Sequence, residues 1–285
     1  MARASIRALS YADKRAVVTG VASGIGEATA QLVAELGGHV IGLDIHEPPN
    51  LPEGSTWIEA DLASRASISA AAERIGGEPL HALFHCAGLP GPPFTSLETM
   101  LVNFVGPRHL TQLLLARMPH GSAIASVSSL GAMGYARKLS QLAPLLATSG
   151  FDEAREWCAR HEDIASGYSA SKECLVAWTQ MRAKDLGARG IRINCTSPGI
   201  TETPMLDHFD ALVGRDWMEA HVQGFLDRNS SPEEQAWPLV FLNSDAASFV
   251  SGANLFVDAG YTGALTVGAV APPPPPPRSS RVPAS

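Results

Sequence analysis

Tyr168 and Lys172 stand four residues apart in Tyr168-Ser169-Ala170-Ser171-Lys172, at the start of a helical pattern. Four residues is about one helical turn, so the phenol and the ammonium share a face. A cation beside a phenol favours the phenolate and lowers a pKa that is ordinarily about 10. A tyrosine so placed becomes a general acid/base near neutral pH. Alone the pair carries little weight, because a solvated lysine beside a packing tyrosine is the commoner arrangement. Two other segments change the balance. Thr19-Gly20-Val21-Ala22-Ser23-Gly24-Ile25-Gly26 follows the apolar run Ala16-Val17-Val18 and precedes a helical pattern of Ala28, Leu32, Val33 and Leu36. This is strand, glycine turn, helix. Glycines let the backbone turn tightly and approach a ligand, and the helix N-terminus offers free N–H groups to a diphosphate. The spacing is G-x-x-x-G-x-G, not the general G-x-G-x-x-G fingerprint. Ser128-Ser129 closes the apolar strand Ala123-Ile124-Ala125-Ser126-Val127, and the carboxyl end of a strand is where open α/β sheets bind ligands.

These residues together resemble the short-chain dehydrogenase/reductase family, over residues 14–262 or so. Asp44 ends the strand His39-Val40-Ile41-Gly42-Leu43-Asp44, and Asp61-Leu62 follows Thr56-Trp57-Ile58-Glu59-Ala60. Cys86-Ala87-Gly88 ends the fourth strand, where the family usually has Asn-Asn-Ala-Gly. Asn103 lies in the next helix, and Pro198-Gly199-Ile200-x-x-Thr203 follows the strand Ile191-Arg192-Ile193-Asn194-Cys195. The resemblance implies a catalytic set of Asn103, Ser129, Tyr168 and Lys172. Tyr168 would be the acid/base, and Lys172 would lower its pKa and hold the nicotinamide ribose. Ser129 would stabilise the reacting oxygen, with Ser128 as the neighbouring alternative, and Asn103 would hold a water that links Lys172 to solvent. The same resemblance assigns cofactor binding to Gly20, Ser23, Gly24, Ile25, Gly26, Asp44, Ile45, Asp61, Leu62, Ala87, Gly88, Pro198, Gly199, Ile200 and Thr203, along with Tyr168 and Lys172. A carboxylate at Asp44 accepts hydrogen bonds from ribose hydroxyls and repels an added phosphate. The glycine turn holds no Arg or Lys, and Ile45 and His46 follow Asp44, so NAD is the expected cofactor. His85 departs from the family's asparagine and reads as a packed strand residue.

The elements that must position these residues alternate, short apolar strands with helical patterns, from Ala16 to Asn194. That alternation predicts one α/β domain over residues 1–262, a Rossmann-like, doubly wound parallel sheet with helices on both faces. A last strand is expected at Asn254–Asp258. The gap between Ser129 and Tyr168 is longer than the family's common pattern. Residues 136–165, with Leu139, Leu142, Leu145, Leu146, Phe151 and Trp157, read as a helical insertion next to the Tyr168 helix. Bacterial 3α-hydroxysteroid dehydrogenases/carbonyl reductases and coniferyl-alcohol dehydrogenases carry an insertion at this place. There it would cover the four-helix interface of a typical tetramer, so a homodimer through another face is expected, with a tetramer as the alternative. Residues 200–229 are expected to cap the substrate site with Met205, Leu206, Phe209, Leu212, Val213, Trp217, Met218 and Phe225. So apolar a lid favours a small hydrophobic alcohol or ketone, of steroid, terpenoid or aryl type. Residues 263–285, with six consecutive prolines at 272–277, read as a disordered, proline-rich tail.

Composition narrows the classes further. With 45% hydrophobic and 17% charged residues the balance is that of a globular protein. A net charge of −7 argues against nucleic acid or an anionic membrane as partner. No run is long and apolar enough to span a bilayer, and the N-terminus lacks the apolar centre of a signal peptide. The four cysteines show no C-x-x-C spacing, so a reducing, cytoplasmic setting is expected. No cluster has metal-ligand spacing, and no metal is expected. Two other classes fit the sequence less well. A non-catalytic NAD-binding sensor or scaffold would have lost part of the catalytic set, which is complete here. A sugar-nucleotide epimerase would have G-x-x-G-x-x-G and a larger C-terminal domain.

Overall fold

The computed structural model describes residues 7–275. Its centre is one seven-stranded sheet in the order β3-β2-β1-β4-β5-β6-β7. The strands are β1 (Arg15–Thr19), β2 (His39–Asp44), β3 (Thr56–Glu59), β4 (Ala82–His85), β5 (Ala123–Val127), β6 (Arg192–Pro198) and β7 (Asn254–Val257). Every pairing is parallel. Parallel strands need helical crossovers, and these cover both faces.

Side chains alternate across the pleat, so each strand feeds two cores. Val17, Ile41, Leu83, Ile124 and Ile193 face one core. It is completed by α2 (Arg65–Ile75), α4 (Gly106–Leu114), α5 (Tyr135–Ala147), α6 (Phe151–Arg160) and α7 (Tyr168–Gly187). Ala16, Val18, Val40, Phe84 and Ala125 face the other, against α1 (Gly24–Glu35) and α10 (Pro232–Asn243). The short α3 (Ser96–Met100) runs into a π-helical turn, Leu101–Val105, before α4. After β6 come α8 (Pro204–Val213) and α9 (Arg215–Val222), and α11 (Tyr261–Thr266) follows β7.

The insertion is helical, as expected, and forms α5 and α6. Leu142, Leu145, Leu146, Phe151 and Cys158 are buried against α4 and α7. The Arg108 guanidinium on α4 is buried and donates to the Leu145 carbonyl at 3.2 Å, the Thr148 hydroxyl at 2.8 Å and the Gly150 carbonyl at 3.1 Å. A cation at the C-terminal end of α5 satisfies carbonyls that the helix leaves free. Lys138 on α5 pairs with the buried Glu173 carboxylate on α7 at 2.9 Å. The expected domain end at 262 falls inside α11, which runs on to Thr266. Residues 276–285 of the expected tail, with Pro276 and Pro277, lie outside the described residues. Among the described residues no helix is long and apolar enough to cross a membrane.

Candidate active site

The strand order reverses between β1 and β4, and the crevice above their carboxyl ends is where such sheets take ligands. Here the Thr19 hydroxyl oxygen accepts from both Cys86 N and Ala87 N at 3.1 Å, which closes the ends of β1 and β4 together. The glycine turn after β1 is crowded by design. A Cβ at Gly26 would lie 2.0 Å from the Gly20 carbonyl oxygen, and one at Gly20 would lie 2.7 Å from Ala87 N. Gly20 and Gly24 also have φ of +78° and +58°, which side-chain-bearing residues rarely adopt. The turn therefore delivers the N-terminus of α1 against the crevice.

At the end of β2 the Asp44 carboxylate accepts from Ala22 N and from His46 N, each at 3.0 Å. Two amides hold it in place beside the glycine turn. All of the sequence-predicted cofactor residues, together with Ser129, Tyr168 and Lys172, line one cavity of about 910 Å³. That volume lies at the upper end of ordinary ligand sites. A Cβ at Gly88 would stand 3.3 Å from Asn103 Oδ1 and 3.5 Å from Lys172 Nζ, so a side chain there would press on both. A turn of glycines, a helix N-terminus and a fixed carboxylate two strands in fit a dinucleotide.

α7 begins at Tyr168 because Gly167, at φ +91°, turns the chain into it. Ser129 follows β5, and its oxygen accepts from Gly131 N at 3.1 Å. Burial raises the Tyr168 phenol above its ordinary pKa, and the nearby Ser129 hydroxyl opposes that rise. The Ser128 hydroxyl points elsewhere and donates to the Lys172 carbonyl at 3.1 Å. Lys172 Nζ donates to the Val127 carbonyl at 2.7 Å and lies 5.7 Å from the Tyr168 ring centroid. Burial lowers the Lys172 amine to about 8. The amine makes no hydrogen bond to the phenol among the described residues and is held by a strand carbonyl instead.

Asn103 does not line the cavity. It sits behind it in the π-turn, a local irregularity frequent at functional sites. Its side chain donates to the Leu89 carbonyl at 3.0 Å and to the Ser171 hydroxyl at 3.0 Å, and accepts from Leu89 N at 2.7 Å. His85 is a core residue. Its Nε2 meets the Thr111 hydroxyl at 2.8 Å, and burial pushes its pKa down to about 3.

Over the outer half of the cavity, α8 and α9 supply Met205, Leu206, Phe209, Val213, Trp217 and Met218. The Phe209 ring meets the Tyr168 ring edge-on at 5.1 Å. Phe225 faces outward instead and packs on Gly260. Sequence reasoning missed four parts of this site. Thr19 ties the strand ends, the Val127 carbonyl holds Lys172, and Tyr261 and Pro273 belong to the wall itself. A buried threonine at the end of an apolar strand was a usable signal for the first. A backbone carbonyl leaves no mark in a sequence.

Comparison with known proteins agrees with this geometry. The family profile described as "short chain dehydrogenase" matches residues 14–140, and one described as "Enoyl-(Acyl carrier protein) reductase" matches residues 158–262. The 3-alpha-hydroxysteroid dehydrogenase/carbonyl reductase of Comamonas testosteroni is 31% identical over 253 residues, 86% of this chain and 95% of that protein. The chain belongs to the short-chain dehydrogenase/reductase family. It is an oxidoreductase of that family, whose members bind a nicotinamide cofactor. The coniferyl-alcohol dehydrogenase of a Pseudomonas species is 30% identical over 254 residues, 88% of this chain and 98% of that protein. Among solved structures, the 3-alpha-hydroxysteroid dehydrogenase of Pseudomonas sp. B-0831 complexed with NADH superposes with a TM-score of 0.74 at 31% identity. It covers 90% of this chain and 100% of that one.

Proposed function

We propose that this protein is an NAD-dependent dehydrogenase/carbonyl reductase that interconverts a hydrophobic secondary or aryl alcohol and its carbonyl compound. One observation supports this most. Ser129, Tyr168 and Lys172 line the same cavity as the glycine turn after β1 and the apolar side chains of α8 and α9. NAD, when bound, takes the hydride in oxidation and returns it in reduction. In reduction Tyr168 Oη gives its proton to the carbonyl oxygen; in oxidation its phenolate, favoured by the neighbouring Lys172 cation, takes the proton of the substrate hydroxyl. Ser129 donates to the same oxygen and stabilises its developing charge. Lys172, beneath the phenol, holds the nicotinamide ribose hydroxyls, and Asn103 fixes the chain that passes over it.

The fixed Asp44 carboxylate supports NAD over NADP. Val21, Ala22, Ser23, Ile45 and His46 around it include no Arg or Lys to receive an extra phosphate. The apolar wall supports a hydrocarbon-rich substrate, and the hydroxysteroid and coniferyl-alcohol enzymes among its relatives point the same way. With α5 and α6 packed over α7, a homodimer would form elsewhere. The exposed Trp237 and Phe241 on α10 and Leu255 and Phe256 on the edge strand β7 are a suitable face. The four free cysteines suit the cytoplasm.

The test is NADH formation by the purified protein over hydroxysteroids, terpenoid alcohols and cinnamyl alcohols, with Tyr168→Phe as control. Tyr168→Phe is expected to bind NAD normally and to lose about 100-fold or more in turnover. Equal turnover by the two proteins would remove the acid/base assignment.

A further inference from the structure

We propose that residues 271–275 form a stiff strap across the substrate half of the cavity, and that Pro273 on it sets how long a substrate the site accepts. The inference rests on the reading of this cavity as an alcohol/carbonyl site, and it narrows the substrate to a compact one, a monocyclic or bicyclic alcohol or ketone rather than a steroid.

The turn after α11 places the strap. α11 follows β7, which lies five strand spacings from β2 and Asp44, about 24 Å away. At its start Thr262 donates to Met133 Sδ at 3.6 Å, so the helix lies against the turn that follows Ser129. Its end is capped. Gly268 takes φ +73°, Gly268 N donates to the Leu265 carbonyl at 3.2 Å, and Ala269 N donates to the Ala264 carbonyl at 2.8 Å. A left-handed glycine just past a helix end reverses the chain. The last stretch therefore starts beside α11, one turn from Tyr261. Pro273 stands four residues on from Ala269, a reach of at most about 14 Å. That is too short to cross to Asp44, so Pro273 meets the cavity in the half around Ser129, Met133 and Tyr168.

The segment has the form of a strap. Val270 and Pro273 are half-buried, whereas Ala271, Pro272, Pro274 and Pro275 are exposed. A spacing of three is the period of polyproline II, so one edge of the segment faces the protein and the rest faces water. Prolines have a fixed φ and no N–H. Such a segment is semi-rigid and needs no partner for its backbone donors, so it can stand over an opening without joining the sheet. Pro273 lines the cavity on one side and its neighbours meet solvent on the other. The strap thus stands between the substrate and water. The cavity of about 910 Å³ must also hold the cofactor. Sites of about 300–1,000 Å³ ordinarily serve one drug-sized ligand, so a cavity shared with a dinucleotide and closed by a strap suits a compact second ligand.

The experiment compares the full-length protein with chains ending at Pro275 and at Val270, on cinnamyl alcohol and androsterone. The chain ending at Val270 keeps Ala269, and with it the cap of α11, but loses the strap. Its kcat/KM for androsterone relative to cinnamyl alcohol should rise about tenfold, through a lower KM for the steroid. The chain ending at Pro275 keeps the strap and should match the full-length protein. Pro273→Gly in the full-length protein should move the ratio the same way by a smaller factor, and it decides the matter should the shorter chain fail to bind NADH. NADH fluorescence reports that each protein is folded. An unchanged ratio with NADH bound, an equal shift in the chain ending at Pro275, or a preference of the full-length protein for the steroid overturns the strap and leaves the alcohol reading intact. No turnover of either alcohol by any of these proteins overturns the alcohol reading and the strap with it.

Discussion

Replacing Lys172 with methionine should change stability little at neutral pH and markedly at high pH. Burial brings the Lys172 amine from 10.5 to about 8. Each unit corresponds to about 1.36 kcal/mol, so carrying this cation in the folded protein at neutral pH costs about 3 kcal/mol. Against that stands the hydrogen bond to the Val127 carbonyl at 2.7 Å. Its loss leaves a buried acceptor without that donor, which costs about 1–3 kcal/mol. The two nearly offset near neutrality. Between pH 8 and 10.5 the wild-type amine is neutral when folded but protonated when unfolded. The unfolded state then binds the extra proton, so stability contributed by this group rises with pH. Methionine has no such gain. Urea unfolding followed by tryptophan fluorescence at neutral pH and at about pH 10 should show wild type gaining about 2 kcal/mol on the variant. The buried thiols Cys86, Cys158, Cys174 and Cys195, raised by desolvation, act in the opposite sense over the same range. Cys158 and Cys174 cancel in the difference, whereas Cys86 and Cys195 feel the Lys172 charge, and its removal raises them further and adds to the wild-type gain at high pH. A difference that stays flat with pH would show that Lys172 remains a full cation when folded, and burial would not have depressed its amine.

Asp44→Ala should weaken NAD by about tenfold or more and NADP far less, because a carboxylate held by two amides meets ribose hydroxyls in one and a phosphate in the other. Fluorescence titration with the two reduced cofactors checks it, and a parallel loss would mean that Asp44 does not read the ribose. Arg108→Ala should destabilise the protein by about 3 kcal/mol, since its three acceptors at the end of α5 lose a buried donor. Limited proteolysis should then cut first between α5 and α6, and an unchanged cleavage pattern would count against Arg108 as the anchor of the insertion.

What was legible in the sequence was local. The apolar runs of β1, β2 and β5 were plain because parallel strands are buried on both faces and read as continuous hydrophobic stretches. The glycine turn was plain because its spacing reports backbone conformation directly. β6 was read only as far as Cys195, yet it continues to Pro198. Thr196 and Ser197 are buried strand residues there, paired with Leu255 and Phe256 of β7, and their polarity hid the extension. The Asn103 segment was read as helix, and its π-turn has no compositional signal. The partners of Lys172 and Ser128 are backbone carbonyls, invisible until the strands are placed. Tyr261 was given no role and Pro273 read as tail, and only their position after β7 brings them to the cavity.

The insertion shows how far placement can matter without contact. No residue between 136 and 165 lines the cavity, so the insertion does not shape the substrate site. It acts through α7. Three consecutive residues of that helix are held from three directions. Asn103 in the π-turn donates to the Ser171 hydroxyl. Ser128 after β5 donates to the Lys172 carbonyl. Lys138 in the insertion pairs with Glu173. The Cys174, Leu175 and Trp178 side chains that follow are sealed in the core that α5 and α6 complete. Proton transfer needs its groups held within about 0.5 Å of the productive geometry, and a helix exposed along one side would not be so constrained. The insertion covers this face of α7 with the chain's own residues and so helps to hold the helix that carries Tyr168 and Lys172.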